Sequence, residues 1–292
     1  MTDLTESRFD LHYENEPARV IRGRVTRPAG EGRVPFVLVL HGFKGFMDWG
    51  FFPLLARRLA EAGLAAVAFN TSGSGIGPDL AGFTDEQAFE KDTVTRQLED
   101  FARVRAHVAL GAPGGLAGLD PARAGLFGHS RGGGLGLIHA AEQGDYRAVV
   151  TWAAIESVDR WDAETRALWR KLGHLPVVNS RTGQTLRMDV GALRDLELNA
   201  ERFDIQAACR RLSAPTLACH GDADEAVHFE ALASILGSLP PGVGRGLAVP
   251  GAGHTFGARH PMTEVSDALE EVLAKSVDWF RTHLPRGPGE LV

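Results

Sequence analysis

Five short, almost wholly apolar runs, separated by stretches with helical spacing, restrict what this chain can fold into. They are Val34–Leu40, Ala65–Phe69, Ala124–Phe127, Ala148–Ala154 and Thr216–Cys219, with a weaker sixth at Gly246–Val249. A strand that is apolar on both sides has to be covered on both faces, as in a parallel sheet between layers of helix. The segments between the runs supply helices. Phe51 to Ala62 carries Pro53 near its first turn and Gly63 just past its end, the usual asymmetry of helix ends. Val94, Leu98, Phe101, Val104 and Val108 follow i, i+4, i+7 spacing, the stripe of an amphipathic helix. Leu135 to Gln143 runs into Gly144, a C-cap residue, and Val265, Leu269, Val272 and Phe280 mark a terminal helix. The alternation predicts an α/β fold with a mainly parallel central sheet and right-handed crossovers. The N-terminal segment differs. Phe9, Leu11 and Tyr13, then Ile21, Gly23 and Val25, alternate with polar residues, which predicts half-exposed antiparallel strands.

The alternation fails once. Between the run ending at Ala154 and the strand expected near Pro215 lies far more chain than one crossover helix needs. This stretch holds Trp161 and Trp169, and Val177 to Leu186 has the pattern of two short strands around a glycine-containing turn. Residues 156–205 are therefore expected to form an insertion after the sixth strand, read as a cap over the active site; a purely structural excursion is the alternative. The core is expected over residues 1–155 and 206–284, and the Pro/Gly-rich end, 285–292, as a flexible tail.

Composition excludes several classes. The 292 residues are 44% hydrophobic and 23% charged, with a formal net charge of -6 and both signs interspersed. Such a chain buries a large core without disulfides or a structural metal. It has neither the basic footprint of a nucleic-acid binder nor a polybasic membrane anchor. No stretch approaches the roughly 18 apolar residues that span a bilayer. The first ten residues are polar and acidic, unlike a secretory signal. Two cysteines, Cys209 and Cys219, do not make a disulfide framework. A cytoplasmic protein without membrane or nucleic-acid partners is expected; its oligomeric state is not legible.

Gly128-His129-Ser130-Arg131-Gly132 matches G-x-S-x-G. The pattern alone is common, but here it follows an apolar run and opens a helical segment, the context that gives it meaning. A nucleophile on a tight strand-to-helix turn needs neighbours without side chains, and the glycines supply that room. Ser130 is the candidate nucleophile. A serine hydroxyl needs a base and an acid that orients the base. His220-Gly221-Asp222-Ala223-Asp224-Glu225 leaves the end of the run Thr216–Cys219, where α/β sheets place their sites; it offers three acids. Gly253-His254 follows the last strand, so His254 is the candidate base, in the chain order this chemistry takes on such folds. Acyl transfer also needs backbone N–H groups for the developing oxyanion. His41-Gly42-Phe43 follows the first apolar run, and the expected donors are Phe43 and Arg131.

These motifs agree in type, order and spacing, and the chain resembles the α/β-hydrolase superfamily, particularly its bacterial dienelactone-hydrolase-like and feruloyl (cinnamoyl) esterase-like branch, from Val34 to Leu284. The resemblance implies Asp224 as the acid, since the family's acid stands three residues after the loop glycine. It also implies a serine hydrolase acting on a small-molecule ester, with no cofactor and no metal. Asn70-Thr71-Ser72-Gly73-Ser74-Gly75 falls where many relatives carry Arg-Gly-x-Gly-x-Ser, and the missing arginine takes its role with it. The dienelactone hydrolases themselves use cysteine where this chain has Ser130. Thioester, amide or peptide cleavage, acyl transfer, and a non-catalytic binding role on the same scaffold are the alternatives. Phe43, Phe46, Trp49, Trp161 and Trp169 are candidate pocket residues and equally plausible packing residues.

Overall fold

The structure, a computed structural model, describes residues 3–30, 32–80, 82–111, 115–179 and 183–284; the tail expected at 285–292 lies outside them. Its centre is an eight-stranded sheet. In chain order the strands are β1 (Leu4–Tyr13), β2 (Glu16–Pro28), β3 (Val34–Leu40), β4 (Ala65–Asn70), β5 (Leu119–His129), β6 (Ala148–Trp152), β9 (Thr216–Gly221) and β10 (Gly244–Val249). Across the sheet they stand β1-β2-β4-β3-β5-β6-β9-β10. The first two pair antiparallel with each other, and β2 pairs antiparallel with β4; every later pairing is parallel. Every residue of β4, β6 and β9 is buried, which is why these strands read as unbroken apolar runs. Strand β1 alternates, with Phe9 and Leu11 buried between exposed neighbours, whereas β2, expected to be half-exposed, is exposed only at residues 16–18 and is buried or half-buried from Arg19 on, because it lies between β1 and β4.

Helices cover both faces. On one, α3 (Val94–Ala109), α4 (Arg131–Gln143), α7 (Ile205–Arg211) and α8 (Glu230–Ser238) pack with Phe36, Leu38, Val67 and Leu126. On the other, α1 (Phe52–Glu61) and α9 (Asp267–His283) pack with Val37, Val39, Phe127 and Trp152. Their ends follow local chemistry. Thr93 caps α3 by accepting the Arg96 N–H, Gly144 closes α4 in the left-handed conformation, and Ser266 caps α9 by accepting the Leu269 N–H. Val265, expected inside the terminal helix, therefore precedes its cap and is exposed.

After β6, residues 156–205 hold α5 (Ala163–Leu172), the antiparallel pair β7 (His174–Val178) and β8 (Thr185–Asp189), and α6 (Val190–Leu198). The turn between the paired strands includes residues 180–182, which lie outside the described residues. This segment has its own apolar cluster, in which Trp169, Leu186, Met188 and Leu193 pack with Ile76, Phe83 and Phe89; Phe89 comes from α2 (Glu86–Glu90). Polar ties add to it. Thr95 donates its N–H and hydroxyl to the Asp195 carboxylate at 2.9 and 2.5 Å, and Lys44 Nζ donates to the Val178 carbonyl at 2.9 Å. The segment thus rests on the loops that leave the carboxyl ends of β3 and β4. No described helix is long and apolar enough to cross a membrane.

Candidate active site

Ser130 stands between β5 and α4 with φ 56° and ψ -121°. A non-glycine residue in that region is strained, and surrounding structure has to hold it there. Its N–H donates to the Trp152 carbonyl at 2.9 Å, and its carbonyl accepts from Ile155 N–H at 3.2 Å. The turn is tight enough that a Cβ on Gly128 would sit 2.3 Å from the Gly132 carbonyl oxygen, and one on Gly132 would sit 2.4 Å from the His41 carbonyl oxygen. The glycines of the sequence pattern are therefore required by contact with backbone.

Asp224 follows β9 and has a fully buried side chain. Its Oδ2 accepts from His254 Nδ1 at 2.8 Å and lies 3.2 Å from His220 Nε2, while Oδ1 accepts the N–H groups of Ala226 and Val227 at 2.8 and 3.0 Å. Burial alone would push this carboxyl up. The hydrogen bonds from His220, His254 and Val227 outweigh it and hold the group well below the usual carboxylate range. Asp222, two residues earlier, accepts the Gly251 N–H at 2.6 Å and so ties two loops together. Of the acids on this loop, Asp224 is the one that meets His254.

The His254 ring bonds Asp224 through Nδ1, which leaves Nε2 for proton transfer, and it lines one cavity with Ser130; no direct hydrogen bond joins it to the Ser130 hydroxyl. Such contacts are often long before substrate binds. His129, next to Ser130, steadies the base from below: its Nε2 bonds the His254 carbonyl at 3.0 Å, and the two rings lie 4.7 Å apart. Burial, and then the nearby His254, push His129 down to about 3, so it stays neutral and its Nε2–H is the donor. His41 is pushed down to about 4 by burial; its Nδ1 lies 2.9 Å from the Gly42 carbonyl and its Nε2 accepts the Thr71 N–H. It shapes the loop after β3.

That loop approaches the nucleophile closely. A Cβ on Gly42 would lie 3.0 Å from Ser130 Cβ and 3.5 Å from its Oγ. Among the described residues the N–H groups of Phe43 and Arg131, the two expected oxyanion donors, have no acceptor. Two cavities meet at Ser130. One, about 90 Å³, is bounded by Gly42, Phe43, Trp49, Phe52, His129 and His254. The other, about 250 Å³, is bounded by Phe43, Arg131, Ile155, Val158, Arg160 and Trp161.

Phe43, Trp49 and Trp161 thus reach cavity walls. Trp169 does not: it is fully buried, donates to the Met188 carbonyl at 2.9 Å and packs edge-on to Trp161 at 5.6 Å. Phe46 packs against Phe83 and His260, at 6.3 and 5.1 Å, behind the wall. The sequence reading did not single out Arg160, Asp92, Ile155 or Val158. For Ile155, Val158 and Arg160 a signal existed, because they directly follow the carboxyl end of β6. Asp92 carries none: it precedes α3 and reads as one more cap-region acid, yet it is buried against Gly73 and beside Arg131. Among the described residues no group of His, Cys, Asp and Glu side chains could hold a metal ion.

Among solved structures the fold is shared with Est1E from Butyrivibrio proteoclasticus bound to ferulic acid (18% identity, 97% of each chain, TM-score 0.65). It is shared with the α/β hydrolase GrgF from Penicillium sp. (17% identity, 97% of this chain and 100% of that one, TM-score 0.72). A dienelactone hydrolase from Anabaena variabilis is similar too (18% identity, 96% and 99%, TM-score 0.58). At these identities the likeness concerns the fold. No curated protein matches the chain. Residues 49–286, most of this α/β-hydrolase-fold chain, match the model of the prolyl oligopeptidase family, and the chain belongs to that family.

Proposed function

We propose that the protein is a serine hydrolase that cleaves small to medium carboxylic esters through an acyl-enzyme on Ser130. The observation that carries this reading is the buried Asp224 carboxylate bonded to His254 Nδ1 at 2.8 Å, with the His254 ring and the strained Ser130 in one cavity. In the mechanism, His254 Nε2 takes the Ser130 hydroxyl proton as Oγ attacks the carbonyl carbon. The N–H groups of Phe43 and Arg131 hold the oxyanion. The bond to the alcohol oxygen breaks, and His254 protonates the departing alcohol. Water then attacks the acyl-enzyme, giving its proton to His254, and Ser130 leaves with that proton restored. Asp224 fixes the tautomer of His254 and stabilises its charged form. The segment 156–205 acts as a cap that closes the larger cavity, a role supported by Trp161 in the cavity wall and by the segment's own apolar cluster. A cytoplasmic location belongs to the same proposal, supported by two buried cysteines that stand as free thiols.

The family match favours one second reading, cleavage of a peptide bond by the same residues. The two separate on turnover of p-nitrophenyl butyrate against a prolyl p-nitroanilide peptide of similar size. Ester turnover that exceeds anilide turnover by far more than their intrinsic reactivities supports the esterase; efficient anilide cleavage replaces it with the peptidase.

A further inference from the structure

The larger cavity beside Ser130 is chemically one-sided. Two of its walls are guanidinium-bearing, Arg131 and Arg160, and among the described residues no carboxylate lines it. A third wall, Trp161, has a buried indole N–H with no acceptor among the described residues. A buried donor without an acceptor is costly, by about 1–3 kcal/mol, unless a ligand supplies one. Apart from Ser130, the rest of the lining, Phe43, Ile155 and Val158, is apolar.

The arginines have few competing partners. Arg160 is exposed and donates to the Ala226 carbonyl at 2.6 Å, a neutral acceptor, and among the described residues it makes no ion pair. The Arg131 guanidinium lies over the Phe43 ring at 4.4 Å, which orients it without neutralising it. The one acid it feels strongly is Asp92, with which it makes no direct ion pair. Asp92 is itself buried, has one carboxylate oxygen with no hydrogen-bond partner, and gives its other oxygen to Gln97. Burial pushes Asp92 up to about 7, so near neutral pH it cancels only part of the positive charge.

The two cavities also divide the substrate. His254 protonates the departing alcohol, so the alcohol belongs on the His254 side, in the cavity of about 90 Å³. The acyl part then extends into the cavity of about 250 Å³ that holds the arginines. Given the ester-hydrolase reading above, on which this rests, we infer that the enzyme acts on half-esters of short dicarboxylic acids, whose free carboxylate is bound by Arg131 and Arg160 with the Trp161 N–H as a further donor. Charge-assisted bonds of this kind set both orientation and preference. A charge-assisted guanidinium–carboxylate contact is worth about 10–100-fold in affinity.

The test compares monoethyl glutarate with ethyl valerate, which matches it in chain length but lacks the carboxylate. Arg160 is the residue to change, because its backbone and side chain take no part in the proposed triad or oxyanion site. Wild type is expected to favour the half-ester by at least about tenfold in kcat/KM. Arg160→Gln should lose most of that preference and Arg160→Glu should reverse it, the readout being the ratio of kcat/KM for the two esters in each variant. Equal rates on the two esters in wild type, or a preference untouched in both variants, would overturn the inference. Calorimetric titration of both esters into Ser130→Ala makes the test independent of turnover. Tighter, Arg160-dependent binding of the half-ester upholds the anion site even if no ester is hydrolysed, in which case it is the hydrolase reading that fails. Equal or absent binding of both refutes the site.

Discussion

The Asp224 carboxylate meets the His254 ring at 2.8 Å across 30 residues of chain, whereas the Asp222 carboxylate, on the same loop, accepts the Gly251 N–H. The two aspartates therefore make opposite predictions. Asp224→Asn should lower kcat by about 10⁴, because the amide favours the wrong His254 tautomer and no longer stabilises its charge. Asp222→Asn should leave kcat within about tenfold and act mainly on stability, by about 1 kcal/mol through one weakened hydrogen bond. Steady-state kinetics and urea melts of the two variants decide it. A greater loss of activity in Asp222→Asn would remove Asp224 from its proposed role.

Gly42 carries a steric prediction. Its missing Cβ would sit 3.0 Å from Ser130 Cβ and 3.2 Å from the His129 carbonyl oxygen. Gly42→Ala should displace the loop that presents the Phe43 N–H, lowering kcat by about ten- to a hundredfold with little change in melting temperature. Wild-type kcat in this variant would show that the loop does not set the chemistry.

Asp92 carries a prediction about pH. Its carboxyl stands at about 7 against an ordinary 3.8, raised first by burial and also by Asp100, and lowered by Arg131, Gln97 and Arg96. Between those two values the folded protein binds a proton that the unfolded chain has released. Stability from this group therefore falls as pH rises from about 4 toward 7 and levels off above. Asp92→Asn should flatten that part of the profile in urea melts taken at pH 5 and pH 8. An unchanged pH dependence would mean that Asp92 ionises freely in the folded state.

Much of this was legible in the sequence, and the reasons are specific. Strands β3, β4, β6 and β9 are buried on both faces, so their residues had to be apolar and the parallel sheet could be read directly. Gly128 and Gly132 were legible because backbone lies where a side chain would be. The choice between Trp161 and Trp169 was not, because it depends on how α5 is rolled; in the structure the Trp169 indole is drawn inward to the Met188 carbonyl. The start of β5 at Leu119 was hidden by Pro121 and the charged residues that follow, and the short α2 has too few turns for a period. Arg160 and Asp92 look like ordinary loop polar residues, and only the burial of Asp92 and the place of Arg160 in the cavity wall beside Ser130 set them apart. The tight turn at Ser130 was expected from the pattern, but what holds it at φ 56°, the bonds to Trp152 and Ile155, comes from a different strand and its loop.

The most direct test of the central claim is hydrolysis of p-nitrophenyl butyrate by the wild type and by Ser130→Ala, each verified as folded by circular dichroism. The account predicts turnover by the wild type and a loss of about 10⁴–10⁶ in kcat in the variant. Undiminished turnover in Ser130→Ala would contradict it.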